Sequence, residues 1–233
     1  MLLPSNSRRP LLCYVTDRRS LAGASPSQSV AALLSAIRVA AEAGIDWIQI
    51  REKDLSGNEL SLLTGEALHH AAATLDGPAA PPRIIVNDRL DVAIVTGAGG
   101  VHLGEGSLPV REAKQLLYAL SPNRLPIDDF LVGVSCHSLE AAKAAARDGA
   151  DYIFFGPVFA TPSKAAFGQP QGLARLAEVC ASVSIPVLAI GGITIENTPS
   201  CLAAGASGIA AIRLFQGASG VPQVVETLRK LTP

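Results

Sequence analysis

Residues 43–50 read AGIDWIQI. The glycine closes a helical run and a strand-like run begins within a few residues, the pattern of a helix C-cap followed by a short loop. The same grammar returns in AGGVHL (98–103), DGADYIFF (148–155) and AGASGIAAI (204–212). Working outward from these joints, short β-like runs alternate with longer helical runs along almost the whole chain. Strands are expected at 11–16, 46–52, 83–87, 100–104, 130–135, 151–156, 185–192 and 208–213. Helices are expected between and after them, at about 27–43, 57–74, 88–97, 109–120, 138–148, 172–182, 195–204 and 220–231. In the first helix Val30, Leu33, Leu34, Ile37, Ala40 and Ala41 share one face, and Gly44 stops it. Eight such units in 233 residues is the count and size of a (β/α)8 TIM barrel, an α/β fold in a single domain over 11–233 behind a loose N-terminal tail at 1–10. An open doubly wound sheet is the structural alternative, but strand one runs into VTDRRS (15–20) rather than a glycine-rich turn. The segments TLDGPAAPPR (74–83) and SPNRLPIDDF (121–130) read as loops at the N-terminal face of the barrel, where function is not expected.

Composition narrows the function classes. The hydrophobic fraction is 48%, enough for a substantial core, and the net charge of -1 argues against a nucleic-acid binder, which would carry a basic face. No apolar run approaches the ~18 residues of a membrane span. The N-terminal MLLPSNSRRP has its apolar residues before its arginines and does not read as a signal peptide. Cys13, Cys136, Cys180 and Cys201 are far apart, without CxxC or zinc spacing, which suits buried thiols in a reducing, cytoplasmic setting.

In a barrel of this kind chemistry is built at the C-terminal ends of the strands. Those ends supply Thr16 and Asp17; Gln49, Arg51 and Lys53; Asn87, Asp88 and Arg89; His102, Glu105 and Ser107; Ser135 and His137; Thr161, Ser163 and Lys164; Gly191 and Gly192; and Arg213. Arg51, Lys53 and Lys164 suit an anionic ligand, because charges at strand ends inside a ring must be paired or liganded. The paired glycines after strand seven would offer backbone N–H groups to a phosphate, at the usual phosphate site of such barrels. Asp88 and Glu105 are the acidic candidates for holding Mg2+ against a diphosphate. The expected ligand is one or more phosphorylated small molecules. Gln49 and His102 can equally be read as polar filling of the barrel, and Glu52 as a residue that orients a cation.

The segments YVTDR, IQIREK, VNDR, GVHLG, VGVSCHS, DYIFFGPVFATPSK and IPVLAIGGIT, in that order and spacing, resemble the thiamine phosphate synthase and thiazole tautomerase superfamily from about Leu11 to Leu228. The resemblance implies a (β/α)8 barrel and, for the synthase branch, a magnesium-assisted transferase. Such an enzyme joins a pyrimidine methyl diphosphate to a thiazole phosphate and releases diphosphate. It implies roles by motif. Gln49, Arg51 and Lys53 match the pyrimidine-diphosphate segment, and Asn87 and Asp88 the diphosphate and magnesium segment. Ser135 matches a polar contact near the diphosphate, Thr161, Ser163 and Lys164 the loop that reaches the phosphates, and Gly191 and Gly192 the thiazole phosphate site. Lys53, Ser135, His137 and Lys164 are the residues expected at the chemistry.

The sequence also departs from that pattern. After GVHL the segment is GEGS, and Ser107 stands where the synthases carry a magnesium-binding aspartate, with Glu105 as a substitute ligand. Arg89 replaces a common second acid, and Arg213 stands near the usual serine after strand eight. GSLPV and Arg89 are more similar to the tautomerase branch, a metal-independent isomerase in which His137 would move the proton. Two alternatives to the synthase therefore stand: that tautomerase, and a phosphate-ligand binder without turnover. A homo-oligomer is left open.

Overall fold

The computed structural model describes residues 9–21, 29–73, 80–120, 129–161, 169–216 and 220–231. Its strands are β1 (Leu11–Val15), β2 (Trp47–Ile50), β3 (Arg83–Asn87), β4 (Gly100–Leu103), β5 (Leu131–Cys136), β6 (Tyr152–Phe155), β7 (Val187–Ile190) and β8 (Gly208–Ala211). They form a closed barrel in sequence order, and β8 pairs in parallel with β1 to complete the ring. The helices are α1 (Ser29–Glu42), α2 (Gly57–Ala72), α3 (Leu90–Thr96), α4 (Val110–Leu120), α5 (Leu139–Arg147), α6 (Gly172–Ser182), α7 (Thr198–Ala203), α8 (Arg213–Gln216) and α9 (Val221–Arg229), with a 3-10 turn at Arg18–Ser20. This is a single-domain (β/α)8 barrel, as the sequence leads one to expect.

Local chemistry explains where the elements begin. Ser56 caps α2 by accepting from the Glu59 backbone N–H, and Glu59 reaches back to the Ser56 backbone, a complete capping box. On α1, Leu33, Ile37 and Ala40 are fully buried, which confirms the expected apolar face. Burying a side chain such as Leu33 or Ile37 stabilises by roughly 1.5–3 kcal/mol.

Strand alternation divides the core into two shells. On β1, Leu12 and Tyr14 face the helices, where they join the large outer core with Leu33, Ile48 and Val86. Cys13 and Val15 face the barrel interior, with Trp47, Ile85, Tyr152, Phe154 and Leu188. These bulky interior residues plug the barrel below the C-terminal ends of the strands. Gly133 on β5 makes room for one of them, because a Cβ there would lie 2.0 Å from the Tyr152 ring. The plug turns the C-terminal mouth into a cup with a floor.

Two strand ends differ from expectation. Strand β2 ends at Ile50, so Arg51 and Lys53 lie on the loop that follows. Strand β8 ends at Ala211, and Arg213 opens the short helix α8, which periodicity over four residues is too brief to reveal. The two loop segments lie largely outside the described residues, at 74–79 and 121–128, as do residues 1–8 of the expected tail. Arg9, within the expected tail at 1–10, makes an ion pair with Asp46. Cys13, Cys136 and Cys201 are buried, Cys180 is half-buried, and all four are free thiols. Among the described residues no helix is long and apolar enough to cross a membrane.

Candidate functional site

At the mouth of the barrel lies a cavity of about 850 Å3, and every strand contributes to its lining. The expected residues Gln49, Arg51, Lys53, Asn87, Asp88, Glu105, Ser107, Ser135, His137, Thr161, Gly191, Gly192 and Arg213 all line it. Ser163 and Lys164 fall outside the described residues. His102, left undecided between filling and function, lines it as well.

The β2–β3 side is tied together by side-chain hydrogen bonds. Gln49 donates through Nε2 to Asn87 Oδ1 at 2.9 Å, and Asn87 donates through Nδ2 to Asp88 Oδ2 at 2.7 Å. Asp88 Oδ1 accepts from the Gly104 backbone N–H at 3.0 Å and from the Ser107 hydroxyl. Asp88 adopts φ 61, a left-handed conformation that is uncommon for any residue but glycine and better tolerated by Asp and Asn. Burial alone would raise its carboxyl pKa. The hydrogen bonds from Ser107, Gly104 and Asn87 and the charge of Lys53 outweigh that and hold it below the usual carboxylate range. The group is therefore an anion at neutral pH, with Lys53 nearby as a counter-charge.

These donors suit a hard cation. Mg2+ takes oxygen ligands and commonly binds through one or two carboxylates plus substrate phosphates and water. Asp88 supplies an ionised carboxylate and Ser107 a hydroxyl beside it, while Glu105 is exposed on the same loop and lines the same cavity. Among the described residues no three His, Cys, Asp or Glu gather to hold a metal. A cation here would depend on oxygens brought by the ligand, and a diphosphate brings them.

The loop after β2 is held from outside the cavity. Glu52 is buried and accepts from the Thr16 hydroxyl at 2.7 Å and from Arg18 Nη1 at 2.9 Å. The Arg18 backbone N–H also donates to both Glu52 oxygens, at 3.1 and 3.2 Å. Thr16 in turn accepts the Arg51 backbone N–H at 2.9 Å. Arg18 and Arg19 both reach Asp54. Glu52 thus does orient a cation, but the cation is Arg18 on the β1 loop.

The β7–β8 side is built from backbone. Gly191 and Gly192 have φ 94 and φ 67. A Cβ on Gly191 would lie 2.5 Å from Pro157 Cβ, and one on Gly192 2.6 Å from the Ala160 carbonyl oxygen, so only glycine fits this turn. Asn197 fixes it by donating through Nδ2 to the Gly192 carbonyl at 2.9 Å. Arg213, exposed at the start of α8, brings a positive charge to this side.

At the floor, His102 is buried. Its ring lies 2.9 Å from Ser135 Oγ through Nε2 and 3.1 Å from Tyr152 Oη through Nδ1. Burial, the largest influence, lowers its pKa to about 3; the Asp88 charge acts upward against it and the Arg51 charge downward with it, so the ring is neutral at pH 7. His137 donates through Nδ1 to the Gly156 carbonyl, because a carbonyl oxygen can only accept.

A sequence model of the family described as thiamine monophosphate synthase matches residues 15–215. The chain belongs to the thiamine monophosphate synthase family. It is 45% identical over 192 residues to the thiamine-phosphate synthase of Methanoculleus marisnigri, covering 82% of this chain and 84% of that one. To the thiamine-phosphate synthase of Roseiflexus castenholzii it is 38% identical over 216 residues, covering 93% and 85%. The thiamine phosphate pyrophosphorylase of Pyrococcus furiosus superposes with a TM-score of 0.75 at 32% identity, covering 96% of this chain and 95% of that one. The relatives are enzymes by name, and the similarity extends over nearly the whole length on both sides.

Within this thiamine monophosphate synthase barrel, sequence reading did not single out Tyr152, Gln216 or the Glu52–Arg18 pair. Gln216 on α8 is buried and takes the Asp17 backbone N–H on Oε1 at 3.2 Å while its Nε2 reaches Ser20 Oγ at 2.9 Å. Those partners lie far apart in the chain, so no local spacing points to them. For Tyr152 a signal did exist: it is two residues before the interior Phe154 and so faces inward.

Proposed function

We propose that this protein is a thiamine phosphate synthase, a transferase that joins 4-amino-2-methyl-5-pyrimidinylmethyl diphosphate to a thiazole phosphate and releases diphosphate. The observation that carries this reading is the presence of two anion-seeking regions in one cavity. Arg51 and Lys53 follow β2, with the Mg2+ candidate Asp88 at the end of β3, and the Gly191–Gly192 turn with Arg213 stands at β7 and β8. The loop after β2 and the end of β7 are three strands apart in a ring of eight, on separate arcs of the mouth. A single phosphate would need one such region; a diphosphate substrate and a monophosphate co-substrate need two.

In this reading the bond between the pyrimidine methylene carbon and the diphosphate oxygen breaks. The electron pair leaves with the diphosphate, and the thiazole nitrogen supplies the pair for the new C–N bond. The protein's task is to stabilise charge on the leaving group, which placed cations and donors do without reorganising. Arg51 and Lys53 would bind the diphosphate, and Gln49 and Asn87 would orient the pyrimidine end. Ser135 would donate to the departing oxygen, and Thr161, Ser163 and Lys164 would bind the phosphates. Asp88, with Ser107 and Glu105 beside it, would hold Mg2+, whose charge would further neutralise the diphosphate. A cytoplasmic location fits free thiols and phosphorylated substrates.

The test is turnover by the purified protein, given both substrates with Mg2+ and then with a chelator. Magnesium-dependent formation of thiamine phosphate supports the assignment. Lack of product from folded protein with verified substrates would overturn it and turn attention to the tautomerase reaction. There, loss of activity in His137→Ala would point to the cavity's other histidine.

A further inference from the structure

Ser135 sits 2.9 Å from a histidine nitrogen, a contact that at first sight resembles a hydroxyl activated by a base. The rest of the network reverses that reading. Tyr152 is fully buried, and its hydroxyl has one hydrogen-bond partner among the described residues, His102 Nδ1 at 3.1 Å. A buried hydroxyl proton without an acceptor carries the full desolvation penalty, so the Tyr152 O–H donates to Nδ1. A neutral imidazole then carries its proton on Nε2. That N–H donates to Ser135 Oγ, occupies one of its lone pairs, and leaves the serine proton to be given to a ligand in the cavity.

The scaffold holds this arrangement in place. Gly133 lies between the two rings in the sheet, opposite His102 on one side and Tyr152 on the other. Any side chain at Gly133 would occupy the space of the Tyr152 ring. The His102 ring packs on Phe154 at 4.1 Å between centroids, and the Tyr152 ring on Trp47 at 4.7 Å.

We propose that Tyr152 and His102 form a buried relay that fixes the imidazole tautomer and makes Ser135 an obligate hydrogen-bond donor toward the substrate. Resting on the synthase reading above, the acceptor is an oxygen of the departing diphosphate, and Tyr152 is a positioning residue that acts through Ser135. The relay moves no proton during turnover. It decides in advance which partner of the serine gives and which receives.

Two measurements on the full-length protein test this. The first is NMR of protein labelled with 15N in its histidines, with the His102 signals assigned by their loss in His102→Gln. A ring proton on Nε2 is expected, and one on Nδ1 would overturn the relay. The second is a double-mutant cycle, which separates action through Ser135 from a merely structural effect. Tyr152→Phe, which keeps the packed ring, should lower kcat about tenfold with the KM for the diphosphate substrate unchanged. In a Ser135→Ala background the same change should cost nothing further. An equal loss in both backgrounds would overturn the proposal. If the wild-type protein shows no synthase turnover, the functional assignment fails on its own, and the NMR result still decides the relay.

Discussion

Glu52 is the residue whose removal should tell most about how the loop after β2 is held at the cavity. The carboxylate is 5% exposed and joins the β1 loop to the β2 loop through Thr16 and Arg18. Glu52→Ala strands the Thr16 hydroxyl and the Arg18 backbone N–H, at roughly 1–3 kcal/mol for each buried donor left without a partner. The Arg18 guanidinium keeps Asp54 at 2.7 Å, so the ~3–5 kcal/mol cost of an uncompensated buried charge does not apply in full. A total of about 3 kcal/mol is expected. For a chain of this size that corresponds to a Tm lower by roughly 6–12 °C. Glu52→Gln should fall in between, since the amide oxygen can still take the Thr16 proton while the NH2 group meets the Arg18 donors. The functional effect should be one-sided. Thr16 also anchors the Arg51 backbone N–H, so the KM for the pyrimidine diphosphate should rise about tenfold while that for the thiazole phosphate stays put. Differential scanning fluorimetry and steady-state kinetics check both. An unchanged Tm in Glu52→Ala, or an equal rise in both KM values, would refute the reasoning.

Asp88→Asn keeps a residue type at ease with φ 61, so the fold should survive, yet magnesium-dependent turnover should fall ~100-fold or more for want of the carboxylate; thermal melts and rates with and without Mg2+ separate the two. Gly191→Ala places a Cβ 2.5 Å from Pro157 Cβ at φ 94, and should lower stability by about 2–4 kcal/mol while weakening thiazole phosphate binding more than diphosphate binding, as calorimetric titrations would show. The Asp54 carboxyl is lowered from 3.8 to about 2, chiefly by its hydrogen bond with Arg18, so the stability it confers is complete above pH 3.8 and is lost as pH falls through about 2. The stability difference between wild type and Asp54→Asn should therefore be flat near neutrality and shrink across that acid window; a constant difference down to pH 2 would count against the Arg18 pairing.

Much of this could be read in the sequence because local signals and topology agree. Glycine-closed helices followed directly by strands set the eightfold count, and the parallel barrel then dictates that strand ends gather at one mouth. Gln49, Arg51, Asn87, Asp88, Ser135 and Gly191 could be placed around that mouth from their position in the chain alone. Contacts made across the ring were not legible. Nothing near residue 152 announces that its hydroxyl meets His102, because that contact depends on the empty space left by Gly133 on the strand between them. Likewise Ser107 is visible as an exception in sequence. Its hydrogen bond to Asp88 shows that a hydroxyl here supports the acidic residue instead of adding a second charge.

The charges of IQIREK still fall on alternate sides although the strand itself ends at Ile50. Gln49 faces the interior, and Arg51 and Lys53, at two-residue steps beyond it, line the cavity. Ile48, Ile50 and Glu52 occupy the alternate positions and are buried on the other side. The inward cations are half-buried or exposed, with a ligand to meet; the outward acid is buried and must find its partner within the protein. Arg18 is that partner, delivered by the neighbouring strand's loop. One six-residue segment thus turns cations to the cavity on one side and an anchoring acid to the other, and the dependence between them runs one way. A substitution at Glu52 should read out at Arg51, whose backbone it holds through Thr16, whereas a substitution at Arg51 should leave the Glu52–Arg18 pair and the melting temperature largely intact.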